Sequence, residues 1–425
     1  MLLALPSLAG VVDNNQTQCC SSIAPTLPPA TYYGATMFRD DDDRSRWELY
    51  VAEPNDPPAT ADSLLTEIDE LEAEVGPTGE ALVSPLRDLA AAYNSRNRSR
   101  DATAALRRGI HIARVNDGLY TPKQIELVEQ LIATHLKERD YASADAQQRY
   151  WYRLKSRDLD YTSPELREAT LHYADWVRSI YLADVETERF PRLVELHDLY
   201  EDAMESVETT HGEYSTELLP YLQEKVEFAY LMTVYPGEKE QAEDSSMAKE
   251  SLIRFWRISD PAYNFRHGLQ AAEKKVEILR RSNAPHGDIA AAELAVADWY
   301  QWNRRYARAV QKYKEIWALM DEIDEDNEWR NNFLFQPLEL PSDIVFNPGP
   351  VPPDTPNQAE IRLRFDVTRH GEAKNIEIMT PKSPETEVAI TRAYHYLRNV
   401  RFRPRVSSGK VVRAEHIERT YQIRY

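Results

Sequence analysis

The 425-residue chain predicts an α+β multidomain fold, an all-α superhelix of helical repeats followed by a small β-β-α-β C-terminal domain. Three observations carry this reading. Residues recur at an offset of 42 through a glycine-poor stretch rich in Glu, Ala, Leu, Arg and Tyr; seven prolines crowd residues 336–357; and strict apolar–polar alternation begins directly after them. The length favours more than one core, and a 42% hydrophobic share suffices to fill two. The expected organisation is a signal segment over 1–23, a polar linker over 24–61, helical repeats over 62–335, a proline-rich linker over 336–357 and the C-terminal domain over 358–425.

The N-terminal run Met1–Val12 (MLLALPSLAGVV) has the length of a signal-peptide core and carries the small residues Ser7, Ala9 and Gly10. It lacks a basic n-region, so an N-terminal strand or an irregular end is the alternative. Read as a signal, it sends the chain to the periplasm or cell envelope; otherwise a cytosolic scaffold follows. No stretch reaches the roughly 18 consecutive apolar residues of a membrane-spanning helix, and no cysteine follows the run at lipobox spacing. Arg39 to Arg44 encloses four aspartates, but without the glycine of a calcium loop they read as solvated charge.

From Asp62 to about Trp329, Leu89, Ala90, Tyr93, Ala102, Leu106 and Gly109 have counterparts 42 residues later at Leu131, Ile132, His135, Ala144, Gln148 and Trp151, and the offset continues to Tyr173 and Ala174. A later unit carries Val296, Ala297, Tyr300, Ala309, Tyr313 and Ile316. The links repeat too: Gly118 to Pro122 recurs as Asp158 to Pro164, with Thr or Ser ahead of a first-turn proline. Small residues at the Ala90 and Ala102 positions let paired helices approach closely, while Tyr93 and Leu106 fill the gap to the next hairpin. This spacing resembles the tetratricopeptide repeat in the 42-residue variety of kinesin light chains, over roughly residues 82–320. The resemblance implies a concave face that binds peptides or partner proteins; a helical spacer with no ligand is the alternative.

Between Gln336 and Asn357, Pro337, Pro341, Pro348, Pro350, Pro352, Pro353 and Pro356 predict an extended, semi-rigid spacer. Beyond it, Ile361, Leu363, Phe365 and Val367 alternate with polar residues and read as a half-buried strand. Arg369 to Glu372 supplies a turn, and Ile376 and Ile378 mark a second strand. Ser383-Pro384-Glu385 reads as a helix start, with Ala389, Ala393, Leu397 and Val400 on one face. A loop around Ser407 to Lys410 then leads to a last strand bearing Ile417, Tyr421, Ile423 and Tyr425.

The run IRLRFDVTRHGEAKNIEIM, the helix, VRFRPRVSSGKVV and the closing strand together resemble the C-terminal domain of TonB-family energy transducers over nearly all of 358–425. In that family the domain captures the Ton box, a short peptide of outer-membrane transporters, as an added strand. The resemblance implies a partner-binding edge along Glu415, Ile417, Arg419, Tyr421, Ile423 and Tyr425, with Arg401, Arg403, Arg405 and Arg413 offering charge to an acidic partner. Solvent-facing solubility is the plainer role for these arginines, and Phe402 reads as core. Two features depart from the family: no stretch of this sequence reads as the family's N-terminal transmembrane anchor, and the Tyr-Pro element ahead of the domain is replaced by PDTPN.

Charge divides the same way. The net charge is −19, yet residues 357–425 hold 14 Lys and Arg against 8 Asp and Glu, a net of +6 that leaves −25 on residues 1–356. So acidic a body disfavours nucleic acid as a partner. Cys19 and Cys20, the only two cysteines, are adjacent and cannot staple distant segments. No nucleophile elbow, phosphate loop, dinucleotide fingerprint or HExxH motif is present, Asp324 to Glu328 lacks the glycine of a calcium loop, and His111 and His135 fall in the repeats as structural residues. The expectation is a non-enzymatic interaction protein with no catalytic, cofactor or metal site. Its expected partners are proteins or peptides, TonB-dependent outer-membrane transporters among them. An adaptor without energy coupling and an accessory to an envelope enzyme are the rival readings.

Overall fold

A computed structural model describes residues 60–157, 159, 163–183, 190–234, 249–321, 328–341, 358–384 and 386–424. The expected signal segment, nearly all of the polar linker, both acidic runs at their centres, the linker prolines from Pro348 to Pro356 and Tyr425 lie outside the described residues. The described chain forms two compact units, one over 60–299 and one over 300–341 with 358–424. The second unit therefore takes in helical residues that the periodicity assigns to the repeats.

The first unit is a succession of antiparallel helix pairs: α1 (Ala61–Val75), α2 (Val83–Ser95), α3 (Ser99–Asp117), α4 (Ile125–Lys137), α5 (Tyr141–Ser156), α6 (Pro164–Ala183), α7 (Phe190–His211), α8 (Leu219–Val234), α9 (Lys249–Ile258) and α10 (Pro261–Arg281). Each of α1 to α6 packs on the next, and α8 packs on α10. The 42-residue period appears in the element bounds themselves, since α2 and α4 start at 83 and 125 and α3 and α5 at 99 and 141. All twelve residues of the first two repeat sets are buried, with Ala90, Ala102, Leu106, Ile132, Ala144 and Gln148 wholly inaccessible.

Links between hairpins use a shared device that the sequence pattern showed only in part. Gly76, Gly118 and Gly212 each end a long helix at φ of 85°, 96° and 89°, a region in which a Cβ is strained. Three residues after Gly118 and Gly212, Thr121 and Ser215 cap a short 3₁₀ turn, accepting from the backbone N–H of Lys123 and Glu217. Gly212 to Ser215 is thus a counterpart of Gly118 to Thr121, one that the 42-residue offset passes over.

The last helix of the array, α11 (His286–Trp302), ends in the second unit, which continues with α12 (Tyr306–Asp321), α13 (Glu328–Phe333) and β1 (Leu338–Leu340). Then come β2 (Gln358–Val367), β3 (Ala373–Ile378), α14 (Glu387–Asn399), β4 (Arg401–Arg403), β5 (Arg405–Ser407), β6 (Lys410–Val412) and β7 (Ala414–Arg424). The main sheet has the order β3-β2-β7, antiparallel throughout, and α14 covers its apolar face. Ile361, Leu363, Phe365 and Val367 all point into that core, as their alternation predicts.

Three details differ from the sequence reading. Helix α14 begins at Glu387 rather than beside Ser383, because Ser383 and Thr386 exchange backbone-to-hydroxyl bonds at 3.0 and 3.2 Å and close a separate turn first. The loop at Ser408-Gly409 is a two-residue hairpin with φ of 48° and 69°, joining β5 to β6. Most consequential, Leu338–Leu340 in the expected proline spacer is a strand, paired antiparallel with β4 in the register Leu338↔Arg403, Glu339↔Phe402 and Leu340↔Arg401. Pro337 and Pro341 bracket this triplet instead of interrupting it, the position in which a strand tolerates proline.

Candidate functional site

Strand β7 lies at one end of the main sheet, eleven residues long, with β2 on its inner side and no strand on its outer side among the described residues. Its pairing to β2 is continuous from Gln358↔Arg424 to Phe365↔Ile417 and shifts register near Ala414. The opposite edge, β3, is shorter and carries its own register shift around Asn375, whose φ is 51°. One residue serves both irregularities. Asp366 accepts from the backbone N–H of His416 at 2.9 Å, from Asn375 Nδ2 at 2.7 Å, and from the Arg413 guanidinium. Burial pushes its carboxyl up, but these donors outweigh it and hold the group down at about 2.

The residues expected to contact a partner separate into three sets. Arg405, Arg413 and Glu415 are exposed, with Arg413 and Glu415 3.5 Å apart. Arg401 is half-buried, its guanidinium 5.3 Å from the centre of the Trp302 ring. Arg403, Arg419, Tyr421 and Ile423 are turned into the module, while Ile417 is partly buried against the core. Arg403 is 3% exposed and donates from Nη1 to the Phe333 carbonyl at 2.9 Å, so it does not offer charge to an acidic partner. Phe402 is core, wholly inaccessible.

Glu339 of β1 explains where Arg419 and Tyr421 are directed. Its carboxylate, 8% exposed, accepts from Tyr396 Oη at 2.6 Å, Tyr421 Oη at 2.7 Å and Arg419 Nη1 at 2.8 Å. Burial and the adjoining carboxylate drive the Tyr421 phenol well above its ordinary range, so it stays a donor. A buried carboxylate with one cationic and two hydroxyl donors is fully engaged, as its burial requires. The sequence signal for this pocket was available: Leu338-Glu339-Leu340 is an apolar–acidic–apolar triplet between two prolines.

Within the hairpin array, a narrow cleft is lined by His197, Tyr200, Glu201, Lys225, Phe228, Tyr263 and His267. Both imidazoles are pushed down, chiefly by burial, so they stand neutral near pH 7. Deeper, Arg178 is 7% exposed and reaches Glu227 at 2.6 Å and Glu224 at 3.3 Å, with Asp175 also paired to it. His135 is buried in the array, its Nδ1 3.3 Å from Asp140, and belongs to the packing. Among the described residues no group of His, Cys, Asp and Glu is arranged to hold a metal ion, and no helix is long and apolar enough to cross a membrane.

No family model matches the chain, and no curated protein matches it. Among solved structures, it is similar to a Podosopora anserina protein described as a kinesin light chain with nearly identical TPR-like repeats, at 13% identity and a TM-score of 0.32, over 58% of this chain and 97% of that one. So low a score leaves the description of the fold to the chain's own geometry. That geometry is a mostly helical, repeat-like array of hairpins followed by a small β-containing module.

Proposed function

We propose that this chain is a non-enzymatic protein-interaction scaffold of the cell envelope, whose hairpin array gathers one partner and whose C-terminal module takes up an extended peptide at the outer edge of β7. The observation that carries the reading is the position of β7: an eleven-residue strand at the end of the sheet, with its inner side paired to β2. An added strand would gain main-chain hydrogen bonds there, with exposed Arg413 and Glu415 at its start. The ordering of strands and helix also supports the likeness to TonB C-terminal domains read from IRLRFDVT and the FRP…GKVV element. The export implied by Met1–Val12 belongs to the same reading.

Hydrogen–deuterium exchange on the full chain tests it, with synthetic Ton-box-like peptides and scrambled controls. The expected result is slowed exchange over residues 414–424 with the cognate peptides alone. Unchanged exchange there at millimolar peptide, or equal protection by the scrambled sequence, would overturn strand addition at this edge. Cell fractionation with mass analysis of the mature N-terminus tests the envelope assignment; a cytosolic product that starts at Met1 would reject it.

A further inference from the structure

The strap that holds β1 to the C-terminal module has the anatomy of a bound peptide. Four successive main-chain or side-chain links tie residues 333–341 down: Arg403 Nη1 to the Phe333 carbonyl at 2.9 Å, Val406 N–H to the Leu334 carbonyl at 2.8 Å, the Arg419 guanidinium to the Pro337 carbonyl, and the β1–β4 ladder. Leu334 and Leu340 are buried to 0% and 1% exposure, one on each side of the glutamate. Between them Glu339 inserts into a pocket made wholly by the module, from Tyr396 on α14 and Arg419 and Tyr421 on β7.

This is the arrangement by which a receptor reads an extended ligand: backbone pairing along one strand, apolar anchors at the ends, and one buried charge that sets sequence preference. An aspartate would fall short of the two phenols by one methylene, and a neutral residue would leave Arg419 buried without its counter-charge. We propose that the C-terminal module carries a second peptide-binding slot, separate from the β7 outer edge, that reads an extended Leu-Glu-Leu segment through its carboxylate, and that residues 337–341 of the same chain are its resident ligand. The inference does not rest on strand addition at β7. Tethering gives the resident segment an effective concentration on the order of millimolar, so a free peptide competes poorly while the tether is intact.

The test uses the full chain and a dye-labelled peptide of sequence FLFQPLELP, residues 333–341, followed by fluorescence anisotropy. The wild-type chain is expected to take up little peptide. A chain with Leu338→Ser, Glu339→Ser and Leu340→Ser is expected to bind it at least tenfold more tightly than wild type, and a peptide with alanine in place of the glutamate is expected to lose at least tenfold of that. Circular dichroism and cooperative melting establish that the variant is folded; if it is not, the nearly isosteric Glu339→Gln chain carries the same comparison. A folded variant that binds no peptide, or binds the alanine peptide equally, overturns the slot. A wild-type dimer on sedimentation that Glu339→Gln abolishes would show that a second copy supplies the segment, and would overturn the assignment of the resident ligand. Protection of residues 414–424 by Ton-box-like peptides is a separate readout, so the two proposals fail independently.

Discussion

Gln301 Nε2 donates to the carbonyl of His370 at 2.6 Å and to that of Phe402 at 3.2 Å, so within the second unit this one side chain grips both the β2–β3 turn and β4. The grip is close. Gly371 sits between these partners at φ +72°, and a Cβ there would lie 2.0 Å from the Phe402 carbonyl oxygen and 2.3 Å from Gln301 Nε2.

Gly371→Ala should therefore be among the most damaging small substitutions in the second unit. Backbone strain at positive φ combines with a clash against main chain, and the expected loss is about 3 kcal/mol or more. Gln301→Leu removes the donor and leaves two carbonyls to find other partners, with an expected loss of about 1–3 kcal/mol. Urea unfolding followed by circular dichroism checks both; a wild-type midpoint for Gly371→Ala would contradict this geometry.

Asp366 predicts an acid response. Its carboxyl is held down at about 2 by His416, Arg413 and Asn375, below the ordinary value of 3.8. A depressed folded-state pKa contributes stability that is complete above about pH 4 and fades as pH falls toward 2. Asp366→Asn should lose that contribution, so its melting temperature should fall less than that of wild type between pH 4 and 2. Parallel slopes in calorimetry would count against the role assigned to this residue.

Glu224 predicts the opposite trend at higher pH. Burial raises its carboxyl, Arg178 pulls it back, and Glu227 and Asp175 push it further, to about 7 against an ordinary 4.5. The folded chain then keeps a proton that the unfolded chain releases, so stability falls as pH rises from about 4.5 to 7. Glu224→Gln should flatten this dependence and raise the melting temperature at pH 8. A steeper slope in the variant would show that Glu224 is ionised in the fold.

Removing the cation from that cluster should cost more than removing one of its carboxylates. Arg178→Met leaves Asp175, Glu224 and Glu227 without their shared guanidinium, for an expected loss of about 3–5 kcal/mol. Restoring charge balance with Glu227→Gln in the same chain should recover part of that loss. A double variant no more stable than Arg178→Met alone would place the cost in packing.

Much of this architecture was legible in the chain before any tertiary contact was known. Ala90, Ala102 and Leu106 recur at a fixed offset because each hairpin meets the next through the same close contact, and that constraint acts on every repeat alike. Alternation from Ile361 to Val367 marks a strand because a pleated backbone turns every second side chain to one face. What escaped was decided by partners far apart in sequence. Arg403 and Arg405 are two residues apart and alike in type, yet one is sealed under the Phe333 carbonyl and the other faces solvent.

By itself, the sequence determined that helical hairpins precede an alternating β module, since period and proline placement are local properties of the chain. Only the tertiary structure decided that Leu338–Leu340 is a strand rather than spacer, and that Arg419 and Tyr421 turn inward to Glu339. Those outcomes depend on a carboxylate finding three donors from 57 to 82 residues away, and no local pattern encodes a match across such distances.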